Sequence, residues 1–138
     1  MAAHPQAAIS TLCTRISDLD EYRNPNVCKV VRDRDGFALY FSRAPIPHAR
    51  DQVTVESPAY RHIGLYAYRA GYLAEYAGSP ACELERIENL EQLRALWRGD
   101  RIYVAEAVET PGRGVDTADD RLAVERLLLS MKNDQEGH

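Results

Sequence analysis

With 138 residues, 45% of them hydrophobic and 28% charged, the chain suits a single domain that hides about two thirds of its unfolded surface. A net charge of -4 and a pI near 5.6, with both signs intermixed, argue against a dedicated nucleic-acid binder, since such domains are usually basic. No apolar run approaches the roughly 18 residues of a membrane span. The start, MAAHPQAAIS, lacks the cationic lead and apolar segment of a secretory signal. Cys13, Cys28 and Cys82 are odd in number and widely spaced, without a CxxC pair, so neither a disulfide framework nor a zinc site is expected. The expected location is the cytoplasm, with no nucleic-acid or membrane partner.

Ala8 to Thr14 is apolar and β-branched and reads as a buried strand. Asp18 to Pro25 is polar and turn-rich. Val27 to Val31 and Phe37 to Phe41 flank Asp35-Gly36, a dipeptide that supplies the positive φ of a tight hairpin. Phe37, Leu39, Phe41 and Arg43 then share one face. Ala44 to Tyr60, with Pro45, Pro47 and Pro58, reads as a long connection, and such lengths are uncommon without a function. From His62 to Tyr68 a period of two places Ile63, Leu65 and Ala67 on one face, expected to be core. His62, Gly64, Tyr66 and Tyr68 share the other, where an imidazole and phenols surround a gap.

A short helix is expected from about Ala70 to Gly78. Asn89 has the character of an N-cap, with Gln92 completing a capping box, and Leu90, Leu93 and Trp97 follow at helical spacing until Gly99. Ile102, Val104 and Val108 alternate as a strand. Pro111 to Gly114 is a glycine-rich turn, and Thr117 caps a final helix with Val124, Leu127, Leu128 and Met131 on one stripe. Asp119 and Asp120 sit favourably in its first turn. The sequence folds as one unit over 1–132, with 133–138 a frayed tail. Strands alternating with helices, plus one hairpin, give an α/β fold with a mixed sheet.

There is no Walker loop, GxGxxG, GxSxG or HExxH. Periodicity alone therefore ends at an α/β domain. Four long blocks take the reading further. NPNVCKVVRDRDGFALYFSRAPIPHARD (Asn24 to Asp51), RHIGLYAYRAGYL (Arg61 to Leu73), LERIENLEQLRALWRGDRIYVA (Leu84 to Ala105) and GVDTADD (Gly114 to Asp120) stand in register. Together they resemble the CMP-KDO synthetase family, the 3-deoxy-manno-octulosonate cytidylyltransferases. The resemblance runs from Ala7 to about Leu129 and implies a Rossmann-like, nucleotide-diphospho-sugar-transferase-like fold.

In that family an eight-carbon acidic sugar is joined to CMP from CTP, with magnesium, releasing pyrophosphate. By resemblance, Arg43 and Arg50 match arginines of the sugar-acid pocket. His62 and Tyr66 match pocket residues on the next strand. Glu91 and Gln92 match contacts to sugar hydroxyls, and Asp116 matches a magnesium ligand. The chemistry suits these types. A carboxylate is met by a planar bidentate guanidinium, and magnesium takes hard oxygen ligands. Read without the resemblance, Arg43 and Arg50 are solvated loop residues, Gln92 closes a capping box, and Asp116 is an aspartate in a glycine-rich turn.

Family members open with a strand and a glycine-rich basic loop around the triphosphate, followed by a cytosine-recognition region. Later they carry a short acidic motif supplying a second magnesium carboxylate. None of these occurs in the 138 residues, so the resemblance is to a C-terminal half without the nucleotide-binding portion. On that reading Ala8 to Thr14 exposes an unpaired strand edge and the chain is a homodimer or larger. The alternatives are a non-catalytic sugar-acid-binding or dimerisation module of the same fold, and a sialate-type cytidylyltransferase. The RHIGLYAYRAGYL and LEQLRALW blocks favour the octulosonate enzyme.

Overall fold

A computed structural model describes residues 3–51 and 59–108. In chain order these form β1 (Ile9–Arg15), α1 (Leu19–Arg23), β2 (Lys29–Arg32), β3 (Ala38–Ser42), β4 (Tyr60–Tyr68), α2 (Ala70–Ala77), α3 (Glu83–Glu88), α4 (Leu93–Trp97) and β5 (Ile102–Glu106). The strands make one five-stranded sheet in the order β3-β2-β4-β1-β5. β1 runs antiparallel to β4 and parallel to β5, while β2 is antiparallel to both β3 and β4. The mixed α/β sheet expected from the sequence is present.

The expectation of an open edge at Ala8 to Thr14 is overturned. β1 pairs along its length on both sides, because the chain returns through α2, α3 and α4 and lays β5 beside it. Among the described residues the sheet edges are β3 and β5. Asp18 to Pro25, read from the sequence as polar and turn-rich, contains the single-turn helix α1. Asp18 caps it, its Oδ1 accepting the Asp20 N–H at 3.0 Å.

The Asp35-Gly36 hairpin is as the sequence indicates, with strands shifted by one or two residues. Asp33 Oδ1 accepts the N–H groups of Asp35 at 2.9 Å and Phe37 at 2.8 Å, and Gly36 sits at φ +88°. The hairpin pairs with β4 at only two positions, and its tip reaches β5. There Val104 N–H donates to Gly36 O at 2.8 Å, Phe37 bridges to Tyr103, and the Arg32 guanidinium donates to Val104 O at 3.0 Å. A Cβ on Gly36 would lie 2.8 Å from Tyr103 Cε2. Gly36→Ala therefore combines a strained φ with a displaced ring. A loss of roughly 2 kcal/mol is expected, read as a lower urea midpoint at unchanged m.

Ile9, Cys13, Val30, Phe41, Ile102 and Val104 of the sheet pack with Tyr76, Leu90, Leu93 and Ala95 of the helical layer. This layer inverts the expected faces of β4. His62, Tyr66 and Tyr68 lie opposite Cys13, Thr11 and Ile9, which are buried residues of β1 in or beside the core that packs on the helices, and therefore face the helices. Leu65, expected in the core, is 61% exposed, and Ala67 is exposed with it. Leu39, Trp97 and Val108, also assigned to apolar faces, are exposed as well. The described helices are short, none longer than the 8 residues of α2. α2 runs from Ala70 to the Gly78 cap as expected.

Asn89 is not an N-cap. It ends α3 in the left-handed conformation, φ 54° and ψ 48°, with its N–H on Glu85 O. Asparagine tolerates this conformation better than most side chains. The next helix starts only at Leu93, and Gln92 makes no side-chain capping bond.

Candidate functional site

The wall that the sequence singled out is built on a widened bulge. Leu12 is opposite Ile63 and Thr11 opposite Tyr66, so Gly64 and Leu65 are extra in β4. Two extra residues preserve the alternation, and His62, Tyr66 and Tyr68 stay on one side. Thr11, 3% exposed, fills the gap in the ladder. Its Oγ1 lies 2.7 Å from Leu65 O, 3.1 Å from Ile63 O and 2.9 Å from His62 Nε2. From Phe41 the rings of His62, Tyr66, Tyr68, Tyr76 and Tyr72 follow one another at centroid separations of 4.9 to 6.0 Å. This series crosses from the hairpin to α2.

Burial dominates the electrostatics of the wall. It pushes the His62 imidazole down to about 4, so the ring is neutral near pH 7. It also raises the Tyr66 and Tyr68 phenols, with the Glu91 charge adding to the effect. These phenols remain protonated donors at neutral pH.

The turn between α3 and α4 brings Glu91 and Gln92 to the same wall. Tyr76 Oη donates to Glu91 O at 2.8 Å and holds the turn against α2. The Glu91 carboxylate has no hydrogen-bond partner among the described residues, while its charge is felt by Tyr66, Tyr68 and Tyr76. Gln92 is buried, and its Nε2 donates weakly to Cys28 Sγ at 3.6 Å. Burial pushes the Cys28 thiol up to about 12, with Arg43 the largest opposing influence. Cys28 O in turn accepts the His62 N–H at 2.8 Å. Cys28 thus sits where Gln92, His62, Tyr66 and Arg43 converge.

Arg43 is placed at this convergence but is largely spent on the fold. Its Nε donates to Glu88 O at 2.9 Å, and its terminal nitrogens reach Asn89 O at 3.2 Å and Pro25 O at 3.3 Å. It closes the C-terminal end of α3. Arg50 lies exposed in the proline-rich connection without a side-chain partner among the described residues. Asp116, the Thr117 helix and the boundary at 132 lie outside the described residues. Among those described, no group of three or more His, Cys, Asp or Glu could hold a metal ion.

Sequence reasoning passed over Thr11, Cys28 and Glu88. Glu88 accepts from Ser42 Oγ at 2.6 Å and from the Arg43 N–H at 3.0 Å, anchoring α3 to the end of β3. None carries a motif. Thr11 does not stand out either, since Ser10 and Thr14 are hydroxyl residues of the same strand.

The mixed five-stranded sheet with its helices matches the fold of the nucleotide-diphospho-sugar transferases. A solved structure of a CMP:2-keto-3-deoxy-manno-octonic acid synthetase complexed with CTP matches it at TM-score 0.80 and 37% identity, over 95% of this chain and 53% of that one. The family model described as cytidylyltransferase matches residues 1–102, and the chain belongs to that family. The 3-deoxy-manno-octulosonate cytidylyltransferase of Pseudomonas syringae pv. syringae is 52% identical over 135 residues, covering 93% of this chain and 53% of the relative. That of Alkalilimnicola ehrlichii is 54% identical over 135 residues, covering 93% and 52%. The chain spans about half the length of the curated relatives it matches.

Proposed function

We propose that the chain supplies the C-terminal, sugar-acid-binding part of a cytidylyltransferase that activates 3-deoxy-manno-octulosonate with CTP, a precursor step for lipopolysaccharide. The observation that carries this reading is the convergence of His62 and Tyr66 of β4 with Glu91 and Gln92 of the α3–α4 turn. A carboxylate without a hydrogen-bond partner among the described residues, protonated phenols, a neutral imidazole and a primary amide suit a polyhydroxylated ligand, whose hydroxyls donate and accept in turn. Arg50, free of partners among the described residues, suits the sugar carboxylate better than Arg43, whose donors are largely engaged.

In the reaction proposed, the anomeric hydroxyl of the sugar attacks the α-phosphorus of CTP and pyrophosphate leaves. Such transfers depend on positioning and charge neutralisation. The wall would orient the sugar and exclude water from its hydroxyls. Magnesium, held in part through Asp116, would neutralise phosphate charge. Cytoplasmic location and a homodimer belong to this proposal, as does the nucleotide portion lying in a segment other than these 138 residues.

Calorimetry with 3-deoxy-manno-octulosonate tests the reading. The 138-residue chain should bind the sugar acid, and Glu91→Ala or Tyr66→Ala should weaken binding at least tenfold, the loss of one or two good hydrogen bonds. No pyrophosphate should be released from CTP by the chain alone, but the N-terminal portion of a relative added in trans should restore release. Turnover by the chain alone would refute the division of labour. Binding without restoration by the added portion would favour a non-catalytic binding module.

A further inference from the structure

The bonds around Thr11 Oγ1 have a consequence for His62. A threonine hydroxyl carries one proton and two lone pairs. Leu65 O at 2.7 Å and Ile63 O at 3.1 Å are acceptors only, so the proton must lie toward these carbonyls. Given instead to the imidazole, it would leave two lone-pair-bearing oxygens 2.7 Å apart. The 2.9 Å contact with His62 Nε2 is therefore donated by the ring. His62 carries its proton on Nε2, and Nδ1, without a partner among the described residues, keeps its lone pair. Phe41 and Tyr66 at 4.9 and 5.4 Å between centroids restrict rotation of the ring.

We propose that Thr11 is a positioning residue of the pocket, fixing His62 as the neutral Nε2–H tautomer so that Nδ1 accepts a hydrogen bond from a ligand hydroxyl. The ligand role rests on the sugar-acid reading above. An acceptor nitrogen repels a carboxylate, so the group meeting His62 is a hydroxyl, and the sugar carboxylate must be met elsewhere. By holding Ile63 O and Leu65 O, the same hydroxyl keeps the bulge that spaces His62 from Tyr66. The low proton affinity of the buried ring agrees with this, since an imidazolium would fill the Nδ1 lone pair.

The test is imidazole nitrogen NMR on the 138-residue chain near pH 7, combined with calorimetry. In the wild type His62 should show a single neutral tautomer with its proton on Nε2. Thr11→Val, of equal shape but without the hydroxyl, should lose that single pattern and weaken sugar-acid binding about tenfold, while Thr11→Ser restores both. A proton on Nδ1 in the wild type, a cationic ring, or an unchanged tautomer in Thr11→Val overturns the assignment. The wild-type spectrum decides even if Thr11→Val does not fold. A wild type with the Nε2–H tautomer that binds no sugar acid refutes the pocket reading but leaves the tautomer assignment standing.

Discussion

Arg43→Ala is expected to lower the stability of the chain by about 3 kcal/mol, from the loss of a charged side chain's bonds to main-chain carbonyls. Glu88 O, Asn89 O and Pro25 O lose their donors together. The end of α3 also loses a cation at its negative pole. The Arg43 N–H bond to Glu88 Oε2 survives, which limits the damage to the side-chain bonds. Arg43→Lys keeps the charge but not the planar fork, and should recover less than half of the loss. Urea denaturation of the three proteins measures this. A midpoint unchanged in Arg43→Ala would show that the residue is reserved for ligand. Arg50→Ala should leave stability within about 0.5 kcal/mol, as surface replacements usually do.

Acidification should destabilise the chain through His62. Burial holds the folded imidazole at about 4, against 6.5 for a solvated histidine. Above the unfolded value the ring is neutral in both states and contributes no pH dependence. As pH falls from 6.5 toward 4, the unfolded chain takes up a proton that the folded chain does not. Stability is therefore lost as pH falls through that window, and the effect levels off below it. The expected loss is about 2 kcal/mol between pH 7.5 and pH 5. Gln at this position can still donate to Thr11 and does not titrate, so His62→Gln should lack this component of the pH slope. Parallel stability curves for wild type and variant would exclude His62 as its source.

Much of the framework was legible because it rests on local chemistry. Asp35-Gly36 needs a positive φ wherever it stands, Gly99 stops a helix, and β-branched alternation marks β1 and β5. The faces of β4 were assigned the wrong way round because alternation states which residues travel together, not which set is covered. The set opposite Ile9, Thr11 and Cys13 turned to the helices, with Tyr66 still 36% exposed, and aromatic rings with polar tips suit such a half-covered layer as well as aliphatic ones do. Asn89 was misread for a related reason. Asparagine suits both an N-cap and a left-handed C-cap, and α3, with Glu85 joined to Arg94 at 2.8 Å and 2.5 Å, decided between them.

For the site, the sequence by itself determined that His62, Tyr66 and Tyr68 share one side of a strand, and that the blocks around them belong together. A strand period of two is a backbone property and needs no partner. Only the tertiary structure decided that β1 lies inside the sheet, that this side of β4 meets the helices, and that Cys28, Arg43, Glu91 and Gln92 converge on it. Those outcomes depend on pairing and packing between segments tens of residues apart. The same holds for Thr11 and His62, whose contact joins positions 51 apart in the chain.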